Sequence, residues 1–374
     1  MEATRHPDTL AARLQTLPKV ELHNHLEGGA MYPDLALRLA ARNGMTLPFQ
    51  DAASAADYYR FTSLDQFIDI LRTTVATLNT AEDYADAVER QGIEARRQNI
   101  RYHELFVTYG LVSRRGVPWE AVVEGLVEGR RRNADRHGVD TAFIIDLDRT
   151  LPADEALRHV QLALGARERA GIVGLGLDCQ EAGFPAGRLR HCFAAAAEAG
   201  LPLTAHAGED GGAASVRDAL DCGVTRIDHG VQAVEDPSLL AELAERQVLL
   251  TVCPLSNVAL RVFPSLAEHS LPQLLAAGIP VCLNSDDPPM FASDLLTECV
   301  AVDAQFGLGE ARLVALLRNA VVPSFQAPDA KARLLADFDA AAARLGDEHL
   351  DRHADEHRRH RARQRERRRR RAVH

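Results

Sequence analysis

Eight short apolar runs recur along the 374-residue chain, and helical patterns separate most of them. The runs are rich in β-branched residues, and several of the intervening patterns end in glycine, as helix C-termini often do. Alternation of this kind predicts a parallel sheet, and eight units predict an α/β fold of the (β/α)8 TIM-barrel class. The predicted strands cover 20–25, 100–108, 141–148, 173–178, 201–209, 226–231, 248–257 and 279–288.

The segment between the first two predicted strands, residues 31–98, is far too long for one crossover. Its pattern predicts a helical insertion after the first strand. A last helix is predicted over 328–346, and it closes a single domain that spans residues 1–346. Other predicted helices cover 119–138, 155–171, 188–200 and 238–247.

The composition changes after about Gly346. Residues 347–374 have almost no apolar side chains and are rich in arginine. Such a segment cannot bury enough surface to fold, so it is predicted to be a disordered tail. Basic tails of this kind are also typical of tethers to RNA or to another anionic surface.

Charge and cysteine content limit the classes of partner. The formal net charge of −10 argues against nucleic acid as a partner of the folded body. No apolar run is long enough to span a membrane, and residues 1–20 lack the apolar core of a secretory signal. The six cysteines have no CxxC spacing, and we interpret them as reduced core thiols. Together these features predict a cytoplasmic protein.

Polar side chains gather where the predicted strands end, which is where a TIM barrel carries its active site. Two histidines of the first strand are two residues apart, so both point into the barrel mouth. Singly, each polar residue has an ordinary explanation, such as a hydrogen-bonded core histidine or an acidic loop cap. The set comprises His23 and His25, His206 and Glu209, Asp228 and His229, and Asp286 and Asp287.

Imidazoles that converge with a carboxylate suit a borderline metal such as zinc. The chain has two lysines, Lys19 and Lys331, and neither lies near the fourth strand. A metal pair bridged by a carbamylated lysine is therefore not expected. The sequence predicts one zinc ion per chain that makes a water molecule nucleophilic. The predicted ligands are His23, His25, His206 and Asp286.

The segments PKVELHNHLEG, HAGE, RIDHG and NSDDP, in this order, resemble the adenosine/adenine deaminase family over roughly residues 15–345. The resemblance implies a zinc-dependent hydrolase that replaces the 6-amino group of a purine and releases ammonia. It also implies that Glu209 protonates purine N1 and that His229 orients or deprotonates the attacking water. Asp287 is expected to bind purine N7.

Three details of the motifs favour adenine over adenosine as the small-molecule substrate. The segment 252–264, with RIDHG and NSDDP, is similar to the pattern of microbial adenine deaminases. The first motif reads HLEG where adenosine enzymes commonly have HLDG, so Glu27 could project into the space of the sugar. The loop at 177–185 also looks shorter than the corresponding loop of many adenosine enzymes. That loop normally supplies a contact to purine N3, which Gln180 or Glu181 could replace here. Adenosine and substituted 6-aminopurines stay open, because 106–116 does not match the pattern expected of adenine enzymes.

Two hypotheses of other classes compete with a purine deaminase. One is a catalytically inactive barrel that acts as a binding protein, and the other is a single-metal hydrolase of a different substrate. The full set of ligands and acid–base residues argues against the inactive barrel.

Overall fold

The computed structural model describes residues 9–62 and 64–346. Eight parallel strands follow one another in chain order. They are β1 (Lys19–His25), β2 (Ile100–Val107), β3 (Asp140–Asp148), β4 (Ile172–Asp178), β5 (Thr204–Ala207), β6 (Arg226–His229), β7 (Leu249–Val252) and β8 (Val281–Leu283). The predicted tail at 347–374 lies outside the described residues, and the single-domain boundary at 1–346 stays a prediction.

Two junctions close the strands into a (β/α)8 barrel. Continuous ladders run from β1 to β4 and from β5 to β8. A bridge between Leu175 and Leu203 joins β4 to the chain just before β5, and a bridge between Asn24 and Asp286 joins β1 to the chain just after β8. All residues of β5 to β8 are buried, as expected for parallel strands covered by helices. The predicted barrel is confirmed.

Helices cover the outside of the barrel and form the insertion after β1. Within the described residues they are α1 (Leu10–Gln15), α2 (Leu26–Gly29), α3 (Pro33–Arg42), α4 (Ala52–Tyr58), α5 (Leu64–Val75), α6 (Ala81–Arg97), α7 (Gly110–Ser113), α8 (Trp119–Arg132), α9 (Ala153–Ala170), α10 (Arg190–Glu198), α11 (Gly212–Asp221), α12 (Pro237–Glu245), α13 (Pro254–Ala259), α14 (Leu271–Ala276), α15 (Pro288–Phe291), α16 (Leu295–Phe306), α17 (Glu310–Asn319) and α18 (328–346). Among these, none is long and apolar enough to cross a membrane.

The insertion between β1 and β2 is helical, as predicted, and it contains the five helices α2 to α6. A capping box starts α4, in which Asp51 and Ser54 satisfy each other's backbone N–H groups. Thr80 and Asp83 form the same motif at the start of α6. These caps fix where the helices begin on a segment whose apolar pattern alone is ambiguous.

The insertion is anchored to the barrel through the close packing of α6 against α8. Two glycines, Gly125 and Gly129, lie one turn apart on the face of α8 that meets α6. A Cβ atom on Gly125 would lie 2.3 Å from the Cβ of Tyr84, and one on Gly129 would lie 2.4 Å from the Cβ of Val88. Only glycine permits this approach, so the pattern EGLVEG fixes the distance between the two helices.

Three local predictions are wrong. The strand predicted over 279–288 spans only Val281–Leu283, and Pro288 starts α15. The strand predicted over 248–257 ends at Val252, because Pro254 starts α13 and proline favours the first turn of a helix. The cysteines are all unpaired thiols, as predicted, but Cys179 is exposed while the other five are buried. Cys179 follows the end of β4, where the chain leaves the core.

A buried ion pair lies within the barrel. Arg226 of β6 and Glu104 of β2 are 1% and 0% exposed, and Arg226 Nη1 lies 2.6 Å from Glu104 Oε2. The Arg226 guanidinium also lies over the ring of Phe325, 4.4 Å from its centroid, and the hydroxyl of Tyr102 donates to Glu104 at 3.0 Å. Because water does not reach Arg226 and Glu104, the charge of each must be balanced by nearby groups of opposite charge.

Removal of one partner tests this dependence. We expect Glu104→Ala to lower the free energy of unfolding by about 3 kcal/mol, because the buried guanidinium loses its nearest counter-charge and keeps only Asp228, whose Oδ1 lies 3.6 Å from Arg226 Nε. Urea denaturation measures the change. Glu120→Ala is the matched control: it breaks an ion pair with Arg169 whose side chains are more than half exposed, and it should cost at most about 1 kcal/mol. Equal effects of the two substitutions would contradict this interpretation.

Candidate metal and active site

The candidate site lies at the rim formed by the C-terminal ends of β1, β5, β6 and β8. His23 and His25 belong to β1, His206 to β5, and His229 is the last residue of β6. Asp286 follows β8. All five are buried except His25, whose side chain is 15% exposed. The residues that the sequence predicted as metal ligands therefore do converge on one rim.

Hydrogen bonds determine which nitrogen of two of these imidazoles carries the proton. His23 Nδ1 lies 3.2 Å from the carbonyl oxygen of Thr251, and His206 Nδ1 lies 3.1 Å from that of Leu177. Because carbonyl oxygens only accept, both Nδ1 atoms must donate, and in the neutral rings both Nε2 atoms keep a free lone pair. Nε2 of His23 is buried without any hydrogen-bond partner. Both rings are thus preset as ligands for a cation.

The ligand atoms lie close together. His25 Nε2 is 3.1 Å from His206 Nε2, and Asp286 Oδ1 is 3.3 Å from His25 Nε2 and 3.4 Å from His23 Nε2. Ligand atoms of His23, His206, His229 and Asp286 all lie within 4.8 Å of one another. Imidazole nitrogens and one carboxylate form a donor set that fits zinc. Five side chains are thus near enough to compete for the usual four positions.

Asp286 is held in place by its backbone as well as by its side chain. Its N–H donates to the carbonyl of His23 at 3.1 Å, and its carbonyl accepts from the N–H of His25 at 3.0 Å. The hydroxyl of Ser256 donates to Oδ2 at 2.6 Å, so Oδ1 is the oxygen that faces the imidazoles. Although burial opposes ionisation, the nearby imidazoles of His23 and His25 hold the pKa of Asp286 well below its usual value.

Two site residues adopt a left-handed backbone conformation that side chains disfavour. The φ angles are 66° at His229 and 64° at Asp286. Each costs on the order of 1–2 kcal/mol relative to a relaxed backbone. Such strain is commonly found where surrounding contacts fix a functional side chain.

Glu209 and His229 face each other at the mouth. Glu209 Oε1 lies 3.5 Å from His229 Nε2, and the Glu209 side chain is 21% exposed. Burial, together with the nearby carboxylate of Asp286, raises the pKa of Glu209 well above its usual value. A carboxyl group with a raised pKa is suited to proton transfer with a substrate.

Two further predicted site residues offer unpaired carboxylate oxygens. Asp287 Oδ1 and Glu27 Oε2 are buried and have no hydrogen-bond partner, while Glu27 Oε1 accepts the N–H of Thr108 at 3.2 Å. Burial raises the pKa of Asp287 to about 8 and that of Glu27 to about 7. A Cβ atom on Gly28 would lie 2.0 Å from Asp287 Oδ1, so position 28 must be glycine for Asp287 to pack against the chain after Glu27.

Sequence reasoning missed two carboxylates beneath the rim. Both oxygens of Asp146, on β3, are buried without a hydrogen-bond partner, and Oδ2 lies 4.0 Å from His206 Nδ1. Asp178, at the end of β4, accepts a hydrogen bond from the hydroxyl of Thr108, and burial raises its pKa to about 6. The signal was present in TAFIIDLD, where an acid interrupts an otherwise apolar buried strand.

The two residues expected to contact purine N3 have other surroundings. Gln180 is exposed. The carboxylate of Glu181 accepts the N–H groups of Gly208, Glu209, Asp210 and Gly211, at 2.5, 3.1, 3.0 and 3.0 Å. Its oxygens are therefore occupied by the loop that carries Glu209.

Asp228, which the sequence placed beside His229, lies below the rim. Its carboxylate accepts from the hydroxyls of Thr204 at 2.5 Å and Thr251 at 2.8 Å. Because the Thr251 hydroxyl donates to Asp228, it accepts from His23 Nδ1, which lies 2.9 Å away. Asp228 thus supports the orientation of His23 from beneath.

Known proteins share this architecture over most of the chain. The family model described as adenosine deaminase matches residues 18–341. An adenine deaminase from Streptomyces coelicolor is 41% identical over 330 residues, which cover 87% of this chain and 96% of that protein.

Two solved structures are similar. A crystal structure of adenine deaminase from Arthrobacter aurescens has a TM-score of 0.83 at 36% identity and covers 87% of this chain and 99% of its own. An amidohydrolase from Burkholderia ambifaria, solved with bound Zn, has a TM-score of 0.80 at 29% identity and covers 92% and 97%. The predicted family is confirmed: the chain belongs to the adenosine deaminase family.

Proposed function

We propose that the protein hydrolyses the C6 amino group of a 6-aminopurine, with adenine as its substrate and hypoxanthine and ammonia as products. One observation carries the proposal. Imidazoles oriented by hydrogen bonds, the carboxylate of Asp286 and Glu209, whose pKa is raised, converge on a single barrel rim. Relatives named adenine deaminase, which this chain matches over most of their length, support adenine as the substrate.

We assign His23, His25, His206 and Asp286 as the ligands of one zinc ion per chain. The unpartnered Nε2 of His23 and the 3.1 Å approach of two imidazole nitrogens support a cation among them. The zinc-bound relative supports the identity of the metal. When bound, zinc supplies Lewis-acid chemistry that makes water nucleophilic near neutral pH.

The remaining side chains perform proton transfer and orientation. Water adds to C6, so aromatic conjugation is lost and electron density moves to N1, where Glu209 delivers a proton. His229 lies 3.5 Å from Glu209 and orients the attacking water. The proton of the new C6–OH group then passes to the amino nitrogen, the C6–N bond breaks, and ammonia leaves as the C6 carbonyl forms. The unpaired Oδ1 of Asp287 is available to purine N7.

Substitutions at Glu209 and His206 separate chemistry from metal binding. We expect Glu209→Gln to lower kcat by at least about 100-fold, because the amide cannot transfer a proton to N1, while the zinc content stays that of the parent. His206→Ala should lose both activity and zinc. Ammonia release and metal analysis of the purified proteins measure the two effects. Near-parental turnover by Glu209→Gln would rule out N1 protonation by this residue.

Glu27 is the residue that we expect to exclude a sugar. It is 2% exposed, and its unpaired Oε2 can accept an N–H from the imidazole portion of a free base. Adenosine lacks that N–H because the nitrogen carries ribose. A site that hydrogen-bonds a substrate N–H discriminates strongly against an analogue without it.

Parallel assays with adenine and adenosine test this role. We expect the parent to prefer adenine by at least about 100-fold in kcat/KM, and Glu27→Ala to narrow that preference by about 10-fold or more. Glu124→Ala, on the exposed face of α8, is the matched control and should leave the preference unchanged. Preference of the parent for adenosine would show that the pocket admits ribose. Turnover of neither would direct the search to substituted 6-aminopurines.

We propose that Glu181 positions Glu209 instead of binding purine N3. Burial opposes the ionisation of Glu181. The nearby guanidinium of Arg149 and the hydrogen bonds that the Glu181 carboxylate accepts nevertheless lower the pKa of Glu181. An ionised carboxylate accepts several N–H groups strongly. A Cβ atom on Gly211 would lie 2.5 Å from Glu181 Cδ, so the loop follows the carboxylate closely.

Loss of that carboxylate should release the loop. We expect Glu181→Ala to speed amide hydrogen exchange at residues 208–211 and to lower kcat by about 10- to 100-fold, since a displaced acid transfers protons poorly. Gln180→Ala is the control at the adjacent exposed position, and both readouts should stay unchanged. A larger effect of Gln180→Ala would instead support Gln180 as the substrate contact.

A further inference from the structure

Four buried groups form a hydrogen-bonded chain behind the proposed active site. It runs from the backbone N–H of Leu271 through His269 and Asn257 to His229. His269 is 3% exposed, Asn257 0% and His229 1%, so water does not compete for these contacts. The side chains of Asn257 and His269 hydrogen-bond to Glu209, His229, Leu271 and each other, and not to the assigned metal ligands.

The direction of the chain follows from its first member. The N–H of Leu271 can only donate, and it lies 3.0 Å from His269 Nδ1, which must therefore accept. Neutral His269 then carries its proton on Nε2. Burial lowers the pKa of His269 to about 4, so the ring is neutral at physiological pH. Its Nε2–H donates to Asn257 Oδ1 at 3.2 Å.

This donation fixes the amide of Asn257. With Oδ1 turned towards His269, the amide nitrogen must face His229, where Nδ2 lies 3.2 Å from His229 Nδ1. The same nitrogen lies 3.4 Å from Glu209 Oε1 and can donate its second proton there. The reverse orientation would set the amide N–H against the N–H of His269, so it is disfavoured.

His229 Nδ1 accepts from Asn257, so the neutral ring holds its proton on Nε2. We propose that His269 and Asn257 are positioning residues that lock His229 in this tautomer. The inference rests on the proposed function for its catalytic meaning, although the tautomer itself follows from the hydrogen bonds alone.

Two consequences follow for the site. His229 is near enough to His23, His206 and Asp286 to act as a metal ligand, but a protonated Nε2 has no lone pair to offer. The lock therefore excludes His229 and leaves the fourth position to His25. It also makes His229 a hydrogen-bond donor to the attacking water and not its base.

The proton released by water then requires another acceptor. Glu209 is in reach, because its Oε1 is 3.5 Å from His229 Nε2. As the O–C6 bond forms, the water proton passes to the Glu209 carboxylate and from there to purine N1. No proton is gained or lost by His229 in this step, so the lock is compatible with the proton balance of the addition.

The tautomer can be observed directly in the full-length zinc-loaded protein. Long-range proton–nitrogen correlation spectra of protein labelled with 15N-histidine distinguish a ring with Nε2–H from one with Nδ1–H. The His229 signal is identified by its loss in His229→Asn. We expect a proton on Nε2 and none on Nδ1. A proton on Nδ1, or a metal-coordinated Nε2, would overturn the proposal.

A matched pair of variants tests the role of His269. His269→Gln keeps an N–H donor near the former Nε2, whereas His269→Met removes it. We expect His269→Met to show both tautomers of His229 and to lower kcat by about 10- to 100-fold with KM within about 3-fold, while His269→Gln stays near the parent in both. An unchanged tautomer and kcat in His269→Met, or an equal loss in His269→Gln, would refute the relay.

These results separate the two proposals. If the parent protein releases no ammonia from any 6-aminopurine, the proposed function fails, yet the spectrum of His229 still reports its tautomer. If the parent is active but His229 carries its proton on Nδ1, the relay fails alone. If His269→Met does not fold, the spectrum of the parent decides.

Discussion

The contact between β1 and the segment after β8 at Asp286 supports both the fold and the site. Backbone hydrogen bonds from Asp286 to His23 and His25 close the barrel between its first and last strands. The same residue turns its Oδ1 towards both imidazoles. Because Asp286 adopts a left-handed conformation, the turn after β8 is held by these contacts and not by local preference. Barrel closure and ligand geometry therefore form together.

The sequence predicted this arrangement where the physical pattern is strong. Runs buried on both faces read as continuous apolar strands, and strand ends meet at one rim, so His23, His25, His206 and Asp286 could be brought together before any coordinates. Element boundaries depend on single residues that the apolar pattern does not reveal. The strand predicted to reach Asn257 ends five residues earlier, because Pro254 starts a helix, and that error hid the role of Asn257.

Other features depend on contacts that no local pattern encodes. Glu181 resembles a substrate contact by its loop position, yet its carboxylate binds four backbone N–H groups of a loop 27 to 30 residues away. His269 lies 12 residues from Asn257 and 40 from His229, and only the fold aligns them. Asp146 was missed although its signal is local. An acid inside an apolar strand can be assigned to the site only when the face of the strand that points into the barrel is known.

The buried carboxyl groups explain why the site favours a cation. Glu27, Asp146, Asp178 and Asp287 hold raised pKa values because burial penalises their ionised forms. His23 and His206 donate from Nδ1 to carbonyls, so in their neutral forms they add no charge to the proposed ligand set. Although burial opposes its charged form, the nearby carboxylates of Asp286 and Asp287 raise the pKa of His25 well above its usual value. A divalent ion would offset the carboxylate of Asp286 and lower the cost of ionising its neighbours. Metal binding and folding stability are therefore coupled in the proposed enzyme, as for other proteins whose ligands are assembled only in the native state.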